Sequence, residues 1–181
     1  VTEAYRGIRR NFLLPLPLYD ENINKNTMPD RAFQRRQMRD HYRISQTARV
    51  FLTIGAEYKY ASVEGRSFQQ AALEIVRRVP DAYVIAVGPT PDNSTWARAA
   101  HDSDGRIIAV GTQHDLHPFH AMADVYGEGF PFGSLTALLE AGLAKLPCVL
   151  APAESPPIFW SSDLSTQRLA SPSNINEYIS I

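Results

Sequence analysis

Residues 124–152 read DVYGEGFPFGSLTALLEAGLAKLPCVLAP, and they contain one complete structural unit. DVYGEGF (124–130) is a short apolar strand running into a glycine-bearing loop. SLTALLEAGLAK (134–145) is a helix, and PCVLAP (147–152) is a second apolar strand. Two strands joined through a helix pair in parallel, because a hairpin would need only a few connecting residues. Glu140 interrupts the helix, coming after Ala137, Leu138 and Leu139 and before Ala141. A carboxylate placed among apolar neighbours requires a partner, which is either another residue of the chain or a ligand.

The same alternation extends upstream. VFLTIG (50–55), DAYVIAVG (81–88) and RIIAVG (106–111) are apolar runs ending in glycine, the pattern of strands buried on both faces. Between them lie a helix over 65–79, with Phe68, Ala72, Ile75, Val76 and Val79 on its apolar face, and a short helical stretch TWARAAH. HPFHAMA (117–123) supplies one more short helix. Strands alternating with helices, and apolar throughout, predict an α/β fold: a Rossmann-like, doubly wound parallel sheet in three layers. Residues 1–45 read as a lead-in segment and first helix packed on a domain formed by 46–181. Pro15 and Pro17 hold NFLLPLPLY (Asn11–Tyr19) extended, and a helix with a ragged apolar stripe spans about Asp30 to Tyr42. A start at Val1 and an end at SNINEYISI, which opens an amphipathic helix and stops, read as an excised piece truncated at its C-terminus.

Composition narrows the function classes. The 181 residues are 44% apolar and 20% charged with a formal net charge of −1, which gives no general attraction for nucleic acid or an anionic membrane surface. No run approaches the roughly 18 apolar residues of a membrane span. The single cysteine, Cys148 in LPCVLAP, excludes an intrachain disulfide and a Cys-rich zinc site, and reads as a core residue.

In an open parallel sheet, ligands bind outside the carboxyl ends of the strands, where helix N-termini converge. The loops at that end are 56–65, 89–96, 112–117, 127–136 and 153–159. None carries G-x-G-x-x-G or G-x-x-x-x-G-K-[ST], so the usual dinucleotide fingerprint and the Walker loop are absent. The best anion site precedes the 134–145 helix. Gly133 permits close backbone approach, and Ser134, Leu135 and Thr136 offer helix-start amides and two hydroxyls. Simple helix capping by Gly133 or Ser134 is the bland alternative. Glu140 stands about one turn beyond Thr136 on the same face, so one nucleoside diphosphate lying across it would engage both.

The run 123–152 resembles the donor-binding segment of GT-B glycosyltransferases, enzymes of two Rossmann-like domains of which the C-terminal one holds the nucleotide-sugar. LPLPLY, RVFLTIG with its helix, and PDAYVIAVGP resemble the preceding parts of that domain, so the likeness covers most of the chain from about Asn11. The resemblance implies that this chain is one half of such an enzyme. It also implies that Glu140 binds ribose hydroxyls and that Gly133, Ser134, Leu135 and Thr136 hold the diphosphate. Lys59, whose Tyr-Lys placement is similar to that in protein O-GlcNAc transferase, would neutralise the phosphates; Lys59 and Glu140 are therefore the catalytic candidates. Val110, Gly111 and Thr112 would flank the base, with His117 in the same mouth.

Two departures bear on the chemistry. Members of the retaining, two-glutamate group have glutamates eight positions apart, and the first falls on Phe132 here. Their arginine after the first-strand glycine is replaced by Ala56. The chain therefore looks closer to a bacterial sugar-polymer or O-GlcNAc-like transferase. The implied donor is a UDP- or GDP-sugar, with no tightly bound cofactor. The implied acceptor is a glycan, a lipid-linked sugar or a protein, held by a missing N-terminal domain without which the chain is inactive. The implied location is the cytoplasm, with membrane association at its inner face only if the rest of the protein supplies it.

Other polar residues also bear on the site. Lys59 is alternatively a solvated loop lysine, and Arg66 a helix-start surface residue. His114, His117 and His120 are spaced by three, but Pro118 and the lack of an H-E-x-x-H pattern count against a metal. Glu57, Asp115, Asp124 and Glu128 are carboxylate candidates, Asp124 more as a cap or loop hydrogen-bond partner; Glu154 and Ser155 lie where a donor sugar would approach. His101 and Asp102 read as surface residues. The competing functions are a non-catalytic Rossmann-like module binding a nucleotide or phosphorylated metabolite, and a structural domain in which Glu140 has an internal partner.

Overall fold

The computed structural model describes residues 30–63 and 65–150. The run at Asn11–Tyr19, the Glu154–Ser155 candidates and the C-terminal SNINEYISI lie outside these residues. Five parallel strands form one sheet: β1 (Arg49–Ile54), β2 (Ala82–Val87), β3 (Ile107–Ala109), β4 (Val125–Gly127) and β5 (Cys148–Val149). Their spatial order is β3-β2-β1-β4-β5. Residues Arg49 to Ile54 pair in unbroken register with Ala82 to Val87, and Phe51 and Leu52 pair with Val125 and Tyr126. The fold is the expected Rossmann-like α/β class.

Although the strands read as apolar throughout, successive side chains feed two separate cores. Val50, Leu52, Ile54, Ile85 and Val87 face α1 (Arg31–His41), α4 (His117–Met122) and α5 (Leu135–Leu143), where Phe119, Met122, Ala137, Leu138 and Ala141 complete the packing. Ala82, Val84, Ala86 and Ile107 face α2 (Phe68–Arg78) and α3 (Ser94–Asp102), packing with Phe68, Ala72, Val76, Trp96 and Ala99. The helix boundaries follow from their caps. Asp30, Ser67 and Asn93 accept amides of the first turns of α1, α2 and α3.

The amino ends of the strands are braced by charge. Arg39, fully buried, donates to the carbonyls of Ser45, Gln46, Ala48 and Met122 and to Asp124 at 2.9 Å. Asp124 also accepts from Arg35 at 2.7 Å and from the Val50 amide at 2.8 Å. This network ties α1 to β1 and β4, and explains why a helix with a ragged apolar stripe packs at all. Its arginine is a core residue, while the exposed arginines of the same helix are not.

The outer strands are shorter than their apolar runs. RIIAVG yields Ile107–Ala109, and PCVLAP yields Cys148–Val149 within the described residues. Val110 N still donates to Ala86 O in the ladder, and beyond it Gly111 bonds the exit of β2, through Gly111 N to Pro89 O and Gly88 N to Gly111 O. Gly88 is required at that exit. With φ of +115°, it lies so close to β1 that an added Cβ would fall 1.9 Å from the Gly55 carbonyl oxygen.

Candidate functional site

Strand order places a topological switch between β1 and β4. From β1 the chain winds through α2 to β2 on one face, and from β4 through α5 to β5 on the other. The carboxyl ends of these two neighbours open a crevice where ligands of such sheets bind. The β1 exit is a 3₁₀ turn, Glu57–Tyr60, and the β4 exit is the loop 128–134 leading into α5.

Lys59 and the start of α5 meet in that crevice. The Lys59 Nζ donates to the Gly133 carbonyl at 2.9 Å and to Ser134 Oγ at 3.3 Å, and the Lys59 carbonyl accepts the Phe132 amide at 3.3 Å. Ser134 occupies the N-cap position, yet its hydroxyl makes no capping bond. Its own amide donates to Glu128, so the helix-start amides without an acceptor among the described residues are those of Leu135, Thr136 and Ala137. An ammonium has three N–H donors, and two of those on Lys59 are used by the loop; the third is available to an incoming oxygen.

Glu128 is the site residue whose role the sequence does not reveal. It is 5% exposed, at the end of β4, and accepts from the Tyr126 hydroxyl at 2.7 Å as well as from the Ser134 amide. Burial, then the charge of Glu128, raise the Tyr126 phenol well above its ordinary range. Tyr60 forms the floor beside it. Its hydroxyl lies 3.0 Å from Thr53 Oγ1, its ring meets Phe68 and Trp96 edge-on, and Gly129 passes so close that an added Cβ would fall 2.9 Å from that ring. A carboxylate following an apolar strand was the signal available. Its importance depends on β4 lying next to β1, which no local pattern encodes.

Glu140 is half-buried on α5, and its carboxylate makes no hydrogen bond with any described residue. Burial raises its pKa, while the charge of His117 at the start of α4 pulls it down. His117 and Glu140 are thus near enough to interact electrostatically. Thr112 is exposed on the β3 exit, and Val110 and Gly111 form its backbone, with Gln113 Nε2 donating to the Val110 carbonyl at 2.8 Å.

The remaining candidates separate by location. His120 faces inward at 6% exposure, with its Nε2 unpartnered among the described residues and its pKa lowered to about 4, chiefly by burial. His114 is exposed, and Asp115 accepts the His117 amide at 3.0 Å. Glu57 accepts from Thr90 and Asn93, tying the β1 exit to the β2 exit; those bonds lower its pKa. Asp124 belongs to the arginine brace at the opposite end of the sheet. Arg66 is exposed and bridges back to Val63. Among the described residues no group of three His, Cys, Asp or Glu side chains could hold a metal ion, and no helix is long and apolar enough to cross a membrane.

The fold defines a Rossmann-like α/β domain with a topological switch point between β1 and β4. No family profile and no curated protein sequence matches the chain. Among solved structures it is similar to WaaG, a glycosyltransferase involved in lipopolysaccharide biosynthesis, at 18% identity and a TM-score of 0.56, over 76% of this chain and 36% of that one. A glycosyltransferase from Rickettsia africae is similar at 13% identity and a TM-score of 0.51, over 67% of this chain and 34% of that one. A mutant O-GlcNAc transferase from Thermobaculum terrenum is similar at 18% identity and a TM-score of 0.50, over 75% of this chain and 28% of that one. At these identities the likeness is one of fold, that of GT-B-like glycosyltransferases. The chain spans only about a third of the length of the structures it resembles.

Proposed function

We propose that the chain is the donor-binding part of a glycosyltransferase, holding a nucleoside-diphosphate sugar at the β1–β4 crevice. The observation that carries this reading is the meeting of three features at one switch point. They are the unaccepted amides opening α5, the Lys59 ammonium seated on that helix start, and the Glu140 carboxylate without a hydrogen bond on the same helix. A diphosphate takes the amides and the third Lys59 hydrogen, and ribose hydroxyls take Glu140. The base lies toward Val110, Gly111, Thr112 and His117.

In the whole enzyme, the bond between the anomeric carbon and the diphosphate oxygen breaks as an acceptor hydroxyl oxygen bonds that carbon and loses its proton. Lys59 and the helix-start amides stabilise the negative charge gathering on the departing diphosphate, so the leaving group needs no resident metal. The donor is a UDP- or GDP-sugar. The acceptor, a glycan, a lipid-linked sugar or a protein, is held by a facing N-terminal domain, and the whole enzyme works in the cytoplasm, reaching the membrane's inner face only through other parts of the protein. Polysaccharide or glycan synthesis is the process this serves.

Calorimetry with UDP, GDP and the matching nucleosides tests donor binding. The expected result is tighter binding of one diphosphate than of its nucleoside. Equal or absent affinity refutes the reading. Transfer from a labelled UDP- or GDP-sugar by the full-length protein distinguishes an enzyme from a module that binds without turnover.

A further inference from the structure

The Lys59 and Glu128 hydrogen bonds converge on a single peptide unit. The carbonyl of Gly133 and the N–H of Ser134 belong to one planar amide, and in a trans peptide they point to opposite sides. Lys59 Nζ takes the carbonyl at 2.9 Å, and the buried Glu128 carboxylate takes the N–H. A cation on the oxygen and an anion on the nitrogen side both favour the same orientation of the amide dipole. Glu128 is itself held by the Tyr126 hydroxyl from the strand below, at 2.7 Å.

This orientation has a chemical consequence at the mouth. With its N–H turned to Glu128, the unit presents its carbonyl to the other side, and an exposed carbonyl oxygen repels an anion. Lys59 covers that oxygen and leaves positive charge there. If the peptide flipped, Lys59 would lose its 2.9 Å seat and Glu128 would face a carbonyl while buried.

We infer that Glu128 is a positioning residue for the anion site: with Lys59 it clamps the Gly133–Ser134 peptide in one flip state, which seats the Lys59 ammonium at the start of α5. This deepens the donor-binding reading and rests on it for its functional consequence. The clamp itself is a statement about the ligand-free protein. Glu128 acts through Lys59 and the peptide, without touching the ligand.

The test uses Glu128→Ala and Glu128→Gln in the intact chain, with two readouts. The first is the Ser134 amide proton in ¹H–¹⁵N spectra, whose shift reports a carboxylate acceptor. It is expected to move strongly upfield in Glu128→Ala and only part of the way in Glu128→Gln, which keeps a carbonyl acceptor. The second is the ratio of nucleoside-diphosphate to nucleoside affinity, expected to fall tenfold or more in Glu128→Ala with nucleoside affinity unchanged, and to be largely restored in Glu128→Gln. An unmoved Ser134 amide overturns the clamp. Equal losses of diphosphate and nucleoside affinity overturn the positioning role, since a merely structural Glu128 would weaken both. If the wild-type chain binds neither ligand, the donor-binding reading fails, and the amide shift still decides the clamp. Should Glu128→Ala not fold, Glu128→Gln decides both: an amide shift identical to wild type would overturn the clamp, and losses of diphosphate and nucleoside affinity by the same factor would overturn the positioning role.

Discussion

Replacing Glu140 by alanine separates a ligand-binding carboxylate from a structural one, because the two roles predict opposite signs for stability. A carboxylate held by internal donors has its charged form favoured and its pKa lowered, as with Asp124 and Glu57. Glu140 goes the other way: burial raises its pKa, and no described residue donates to it. Between its ordinary and its raised pKa the folded state binds more protons than the unfolded one, so this group makes stability fall as pH rises through that interval. Removing it therefore relieves a small penalty at neutral pH, and alanine is also the better helix former. Binding should respond in the opposite direction. Hydrogen bonds from two ribose hydroxyls to a charged acceptor, exchanged against water, amount to a net ~1–3 kcal/mol, or roughly 5- to 150-fold in Kd. The assay is calorimetric titration with the best-binding nucleoside diphosphate and its nucleoside, paired with urea denaturation of both proteins at pH 7. Glu140→Ala should weaken both ligands by the same factor, since ribose is common to them, while the unfolding midpoint holds or rises. Unchanged ligand affinity together with a lower unfolding midpoint would refute the reasoning and return Glu140 to the core.

Three other perturbations test the scaffold. The buried His120, with a pKa lowered to about 4, binds fewer protons folded than unfolded between pH 4 and 6.5. Its stabilising contribution is therefore complete above pH 6.5 and falls by about 3 kcal/mol on acidification to pH 4; His120→Leu should flatten that part of a urea-midpoint-versus-pH curve, and an unchanged slope counts against a buried neutral imidazole. Arg39→Met removes the donor to four backbone carbonyls and strips Asp124 of one of its two arginines, which should cost about 3–5 kcal/mol in denaturant unfolding; a loss below about 1 kcal/mol would show the brace to be incidental. Gly88→Ala places a Cβ against the Gly55 carbonyl at positive φ, so it should destabilise by at least ~2 kcal/mol in the same assay, and a neutral result would mean the β1 and β2 exits are free to separate.

The layers were legible in the sequence because each strand and helix declares itself locally. Apolar runs ending in glycine at 55, 88 and 111 became β1, β2 and the exit of β3, and the 134–145 pattern contained α5. What local pattern could not supply was adjacency. The chain reaches β4 fourth, yet β4 lies beside β1, and only that placement brings Lys59 to Gly133 across 74 positions. The 3₁₀ turn at Glu57–Tyr60 was equally hidden, since its geometry is set by what it packs against. The three spaced histidines show the reverse failure. The spacing of His114, His117 and His120 suggests a shared face, but α4 starts at His117, so His114 stays exposed in the preceding loop while His120 turns into the core.

Three acidic residues near β4 and α5 show how burial and partners assign roles that residue type alone leaves open. Asp124 and Glu128 flank one short strand, at its amino and carboxyl ends. At the amino end burial raises the carboxylate's pKa, but the Val50 amide and the two arginines together outweigh it and the pKa is lowered. At the carboxyl end Glu128 accepts from a phenol and a backbone amide, neutral donors that orient the carboxylate. Across the Gly133–Ser134 peptide from this carboxylate stands the Lys59 ammonium. Glu140 is half-buried without a donor among the described residues, which is unfavourable in the ligand-free protein and favourable once hydroxyl groups arrive. The strand is therefore fixed by ion pairs at one end, held by neutral donors at the other, and followed by a helix whose carboxylate has no donor among the described residues; in the proposed function, ribose hydroxyls supply those donors.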